Sequence, residues 1–322
     1  MSRRVLFYAP AYARLAREVE ALGGVEPVLM DAHGRLTLHG AELTAADAAV
    51  EAAWPNNDVY DSPVARNFMV ATLKSPVLTW VQSGGAGLDN PVWAAIARKG
   101  AVITTTHVQS VAIADYVLWG VLDHFQQGPS RREAQERAEW RLTPVREIAG
   151  TRWLIVGFGA IGRDVAQRVR AFGASVTGVR RRPHDDPLAD AMTSDWRSAL
   201  PEADVVVFCL PLTRESEGMA DESAFRGFKP GSVFVNVGRG GLVVEPALLA
   251  ALERGAPEFA VLDVFGNEPL PADSPIWRHP RVRVTAHTAA LGNGFEARSD
   301  RVFLDNLRRW TRGEPLADVA GV

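Results

Sequence analysis

The chain has 322 residues, 47% apolar and 23% charged, with a net charge of -3. That composition fits an ordinary soluble globular protein of two domains and leaves no basic field for nucleic acid. A single cysteine, Cys209, excludes an internal disulfide framework and a thiolate metal cluster, and no apolar stretch approaches a bilayer-spanning length.

The first residues, MSRRVLFYAPAYARLA, superficially resemble a secretion signal. The apolar run is short and broken by Pro10, and it reads as a first strand over 4–8, so a cytoplasmic location is expected. Short β-rich runs then alternate with helical patterns, which argues a parallel α/β architecture. Further strands are expected near 26–30, 48–53, 76–81 and 101–104. A long apolar helix from Ile113 to Leu122 leads into GPSRREAQERAEWR, read as a surface arm or connector. A second series of strands is expected at 152–156, 175–179, 204–210, 232–236, 259–263 and 282–285. After the first of these, Ile161, Val165, Val169 and Phe172 recur at helical spacing, with Gly173 as the stop. Pro246 opens another helix, and 294–313 reads as a terminal one.

GFGAIG lies between the strand at 152–156 and its helix. Gly157 makes the tight turn, Gly159 lets backbone approach a pyrophosphate, and Gly162 lets the helix pack on the strand. Ala160 and Ile161 complete the turn, where a helix N-terminus supplies N–H groups and a positive dipole end. The glycine spacing alone is a weak signal. Its place after a strand and before an amphipathic helix makes it a dinucleotide site.

About twenty residues later this fold commonly places an acid for the adenosine ribose. Here the chain has VRRRP, with Arg180 at that position. The plain reading is a solvated loop. The sharper one is that Arg180 and Arg181 hold a 2′-phosphate, to which guanidinium forms forked bonds and which Asp would repel. NADPH is therefore expected in preference to NADH.

Three later stretches, VNVGRGGLV (235–243), AVLDVFGNEPLP (260–271) and VRVTAHTAA (282–290), each begin as a strand and end in a polar residue. Strand C-terminal ends border the ligand crevice of an open parallel sheet, so Arg239, Glu268 and His287 are expected on one side of one cleft. Asn236, Arg239, Gly240, Asp263, Glu268, Pro269 and His287 appear in an order that resembles the D-isomer-specific 2-hydroxyacid dehydrogenases. CLPLT at 209–213, SPIW at 274–277, DNLRRWTRGEPL at 305–316 and QSGGAGLD at 82–89 extend the resemblance over nearly the whole chain. The resemblance points to the glyoxylate/hydroxypyruvate reductase branch.

It implies two Rossmann/flavodoxin-like parallel-sheet α/β domains with the active site in the cleft between them. The substrate domain would be residues 1–103 with 291–322, and the cofactor domain 104–290. A homodimer built through the cofactor domains is implied, with no membrane partner and no metal. His287 would be the general acid and base, paired to Glu268, which favours the imidazolium and orients the ring. Arg239 would hold the substrate carboxylate and polarise the carbonyl. Backbone N–H groups of Gly85, Ala86 and Gly87 would take the other carboxylate oxygen. Asp263 would bond the nicotinamide carboxamide, and Leu210, Pro211, Thr213 and Val237 would line the cofactor.

Alone, each of these residues has a plainer reading: a packed histidine, a loop Glu-Pro, a structural arginine. Their conjunction beside a dinucleotide turn favours catalysis. Cys209 reads as buried packing, and Trp54, Trp80 and Trp119 read equally as pocket or core. Val244, Ala286, Asp115 and THVQ at 106–109 depart from the commoner family pattern, Ala286 standing where a proline usually precedes the histidine. These departures bear on the substrate more than on the reaction. The expected reaction is reduction of a small 2-keto acid to the D-2-hydroxy acid. A phosphite dehydrogenase and a dinucleotide-sensing corepressor are the rivals. The corepressor would be expected to carry extended flanks, and Glu268 argues against the formate branch, which has glutamine there.

Overall fold

Two β-rich series separate into two units in the computed structural model, which describes residues 2–88 and 90–321. One unit is Met1–Val108 with Asn293–Val322 and the other is Gln109–Gly292. Asp89, which ends the QSGGAGLD stretch, lies outside the described residues, as do Met1 and Val322.

The first unit contains β1 (Arg3–Tyr8), β2 (Val25–Met30), β3 (Leu36–Leu38), β4 (Ala41–Leu43), β5 (Ala52–Ala53), β6 (Trp80–Gln82) and β7 (Val102–Thr104). Their spatial order is β4-β3-β2-β1-β5-β6-β7. The five strands from β2 to β7 across β1 are parallel, while β3 and β4 add an antiparallel edge. That edge was not expected from the sequence. His39 and Gly40 join its strands with φ of 50° and 81°, the positive pair that a two-residue hairpin turn requires.

The terminal helix Phe295–Arg312 returns to this unit, which makes it discontinuous. Phe303 stacks on Trp54 with centroids 4.2 Å apart and on Trp80 at 5.8 Å. Trp54 and Trp80 are therefore core residues, whereas Trp119 in the other unit is exposed. Burying a side chain of this kind contributes about 1.5–3 kcal/mol or more.

The second unit contains β8 (Arg152–Val156), β9 (Ser175–Val179), β10 (Ala191–Thr193), β11 (Val205–Phe208), β12 (Val233–Asn236), β13 (Phe259–Leu262) and β14 (Val282–Val284). All are parallel, in the order β10-β9-β8-β11-β12-β13-β14. Runs such as VVVF in β11 and VFVN in β12 are buried throughout, as sheets covered on both faces demand. The winding reverses between β8 and β11, and ligands of such sheets bind beyond the strand ends at that reversal.

β10 is a short edge strand without β-branched enrichment, and the sequence pattern did not predict it. The long apolar helix runs Ser110–Phe125, and part of the expected connector forms a further helix, Gly128–Glu136. No described helix is long and apolar enough to cross a membrane.

Candidate active site

The glycine turn follows β8. Gly157 has φ 101°, and a Cβ there would stand 2.8 Å from the Cys209 backbone. A Cβ on Gly162 would stand 2.7 Å from Gly157 O, so the helix Ala160–Ala171 can approach β8 only with glycine at that position. Gly159 has open space around it. It precedes the helix without a side-chain cap, so the N–H groups of the first turn are available to an anion. This geometry fits the pyrophosphate of a dinucleotide.

Arg180 directly follows β9 and lies beside this turn. Its Nε donates to Phe158 O at 2.5 Å, one Nη is 2.5 Å from His184 Nε2, and another is 3.6 Å from Asp186 Oδ2. Buried Asp186 also pairs with Arg163 on the glycine-turn helix. Arg181 and Arg182 are exposed. Arg163, His184 and Asp186 were not among the expected site residues. The only sequence signal for them was their nearness to GFGAIG and VRRRP.

The loop after β11 carries Leu210, Pro211 and Thr213, and Ser216 ties it together by donating to Pro211 O at 2.9 Å. A Cβ on Gly238 would stand 2.7 Å from Leu210 O, so this loop meets the Val237–Arg239 turn after β12 through a glycine. Cys209 Sγ lies 3.1 Å from Gly157 O, and burial pushes its thiol up to about 12, which leaves packing and not nucleophilic chemistry as its role.

Arg239 follows Asn236, whose Oδ1 accepts from Gly238 N at 3.1 Å and whose Nδ2 donates to Arg239 O at 3.0 Å. Glu268 holds the Phe265 N–H on Oε1 at 2.9 Å, while its Oε2 accepts from His287 Nδ1 at 2.8 Å. With Nδ1 engaged, Nε2 is the ring nitrogen left to exchange a proton with a ligand. Phe265, Leu270, Trp277 and Ala286 join this dyad around a cavity of about 440 Å³. A larger cavity, about 510 Å³, lies at the opposite strand ends among His124, Glu258, Phe259 and Arg281. It contains neither the glycine turn nor the dyad, so size alone does not identify the site.

Asp263 follows β13 and is 2% exposed. Its Oδ1 accepts from Thr285 Oγ1 at 2.6 Å and Thr288 N at 2.9 Å, and its Oδ2 from Ala289 N at 3.0 Å. A carboxylate has about four acceptor sites, so one on Oδ2 remains. In the first unit, Gly85, Ala86 and Gly87 form the loop after β6. Gly85 N donates to Ser83 Oγ at 3.2 Å, and Ala86 and Gly87 are exposed.

Residues 118–289 match the family model for the D-isomer specific 2-hydroxyacid dehydrogenase NAD binding domain. Over 179 residues the chain is 36% identical to glyoxylate/hydroxypyruvate reductase A of Serratia proteamaculans, covering 55% of this chain and 57% of that one. It is 32% identical over 255 residues to D-3-phosphoglycerate dehydrogenase of Mycobacterium bovis, covering 77% and 48%. The chain thus spans about half the length of these curated relatives. A crystal structure of a D-isomer specific 2-hydroxyacid dehydrogenase from Xanthobacter autotrophicus, in complex with NADPH and MES, superposes with a TM-score of 0.75. It has 28% identity and covers 99% of this chain and 98% of that one. The chain belongs to the D-isomer specific 2-hydroxyacid dehydrogenase family.

Proposed function

We propose that the chain is an NADPH-dependent reductase of a small 2-keto acid, glyoxylate or hydroxypyruvate in kind, forming the D-2-hydroxy acid. The observation that carries this reading is the 2.8 Å contact of His287 Nδ1 with Glu268 Oε2, at the strand ends of a dinucleotide-type sheet. When bound, the nicotinamide cofactor supplies the hydride to the carbonyl carbon. His287 Nε2 gives its proton to the carbonyl oxygen, and Glu268 compensates the imidazolium charge and fixes the ring. Arg239 holds the substrate carboxylate, and Gly85, Ala86 and Gly87 are assigned its second oxygen. The free acceptor site of Asp263 is assigned the nicotinamide carboxamide N–H.

Preference for NADPH rests on Arg180 beside the glycine turn, on Arg181 next to it in sequence, and on the NADPH held by the Xanthobacter relative. A homodimer is supported by the segment after the Gly128–Glu136 helix, where Trp140 is 95% and Leu142 86% exposed. A cytoplasmic setting fits the free Cys209.

The test is NADPH and NADH oxidation across small, branched and aromatic 2-keto acids. The expected result is a specificity constant highest for the smallest keto acids with NADPH. Absence of turnover with every keto acid, or a higher specificity constant with NADH, contradicts the reading.

A further inference from the structure

His287 has φ 56°, in the left-handed region that L side chains rarely occupy. Something must hold it there, and the surrounding bonds show what does. The His287 N–H donates to Asp263 O at 2.8 Å, and the next two N–H groups, of Thr288 and Ala289, donate to the Asp263 carboxylate. From the other side of the histidine, Thr285 Oγ1 lies 2.6 Å from Asp263 Oδ1 and 2.7 Å from Tyr116 Oη. A hydroxyl has one proton and a carboxylate only accepts. Thr285 therefore donates to Asp263, and the Tyr116 phenol donates to Thr285. Burial pushes the phenol up to about 12, so that proton is present at neutral pH. Tyr116 lies on the Ser110–Phe125 helix, which contributes no other residue to the site described above.

We propose that Tyr116 and Thr285 are positioning residues for the keto acid reduction. The chain Tyr116 Oη–H to Thr285 Oγ1–H to the Asp263 carboxylate locks the His287 turn, keeping Nδ1 on Glu268 and Nε2 free for the substrate. The inference rests on the reading of His287 as the proton donor. Three features make the lock necessary. The backbone conformation is strained. The preceding residue is Ala286, without the fixed φ of a proline. The donor nitrogen must also be placed within a fraction of an ångström for the proton transfer to keep pace. Phenol, hydroxyl and carboxylate form a closed series in which each proton has one acceptor, so removal of one member loosens the next.

The experiment compares Tyr116→Phe, Thr285→Val, Thr285→Ser and His287→Asn with the unmodified chain. Thermal melting, NADPH binding by fluorescence, steady-state kcat and KM, and the solvent deuterium isotope effect on kcat are measured with the best keto acid of the panel. Expected are a kcat loss of about threefold to tenfold for Tyr116→Phe and about tenfold to a hundredfold for Thr285→Val. The KM for NADPH should stay within about twofold, and the solvent isotope effect should rise as proton transfer becomes limiting. Thr285→Ser, which keeps the hydroxyl, should restore kcat to within about threefold.

A purely structural role would lower the folded fraction and leave the isotope effect unchanged, and that result overturns the proposal. So does wild-type kcat in folded Tyr116→Phe and Thr285→Val while His287→Asn is inactive. Turnover retained by His287→Asn removes the proton-donor reading itself, and the positioning role with it.

Discussion

Gly240 lies against Phe265 so closely that a Cβ on the glycine would stand 1.8 Å from the Phe265 carbonyl carbon. The turn bearing Arg239 and the loop bearing Glu268 thus touch backbone to backbone, and Gly240 sets their spacing. Glu245 fixes the same loop from another side, accepting the Gly266 N–H at 2.9 Å. Gly240→Ala must displace residues 265–266 and with them the carboxylate that holds His287. The expected outcome is a loss of about 1–3 kcal/mol or more in stability and of about a hundredfold in kcat. Urea unfolding and steady-state kinetics measure the two, and unchanged values for both would show that the loops are not coupled here.

The arginines make a separable prediction. Arg180 is tethered to Phe158 O, His184 and Asp186 beside the glycine turn, whereas Arg181 is exposed. Arg180→Ala should reduce kcat/KM for NADPH by about ten- to a hundredfold, the worth of one to two charge-assisted phosphate bonds. The value for NADH should change by less than about threefold. Equal losses with both cofactors would assign Arg180 to loop structure instead of phosphate recognition.

Asp204 carries a pH-dependent share of stability. Burial raises its carboxyl, but Lys229 Nζ at 2.6 Å, the Arg152 N–H at 2.8 Å and Arg146 at 3.0 Å outweigh this and hold it below the usual carboxylate range. A lowered folded-state pKa stabilises fully above the unfolded value and is lost as pH falls through the folded one. Asp204→Asn should therefore cost about 1–3 kcal/mol at pH ~7, with the gap to wild type narrowing below pH ~4. Urea titrations at several pH values check this, and a gap that stays constant into acid would remove the ion pairs as its source.

Trp140 and Leu142 project from the segment after the Gly128–Glu136 helix. If this surface joins two copies, Trp140→Arg combined with Leu142→Arg should convert a dimer into a monomer without lowering the melting temperature of the isolated fold by more than a few degrees. Sedimentation velocity reads the outcome directly, and an unchanged dimer would place the interface elsewhere.

The second unit was legible because its signals are local. GFGAIG between a strand and a helix, the VVVF and VFVN runs, and the polar residues closing β12 to β14 each depend on neighbours in sequence. The hairpin at His39–Gly40 is not legible in the pattern because three-residue strands carry too little alternation, although Gly40 marks the turn. In the first unit, the stacking of Phe303 on Trp54 and on Trp80 was not legible, since the terminal helix lies more than two hundred residues away in sequence. Long-range pairings were the least visible. Asp186 beneath Arg163 and Arg180, and Tyr116 behind Thr285, meet only after the sheet has assembled. No spacing rule predicts such pairs.

His287, held by Glu268 at 2.8 Å, is the proposed proton donor of a keto acid reductase. Its most direct test is the rate of NADPH oxidation by His287→Ala with the preferred small 2-keto acid, alongside NADPH binding to the same variant. The expected kcat is lower by about two to four orders of magnitude, with binding of NADPH intact. Turnover within about threefold of wild type would contradict it.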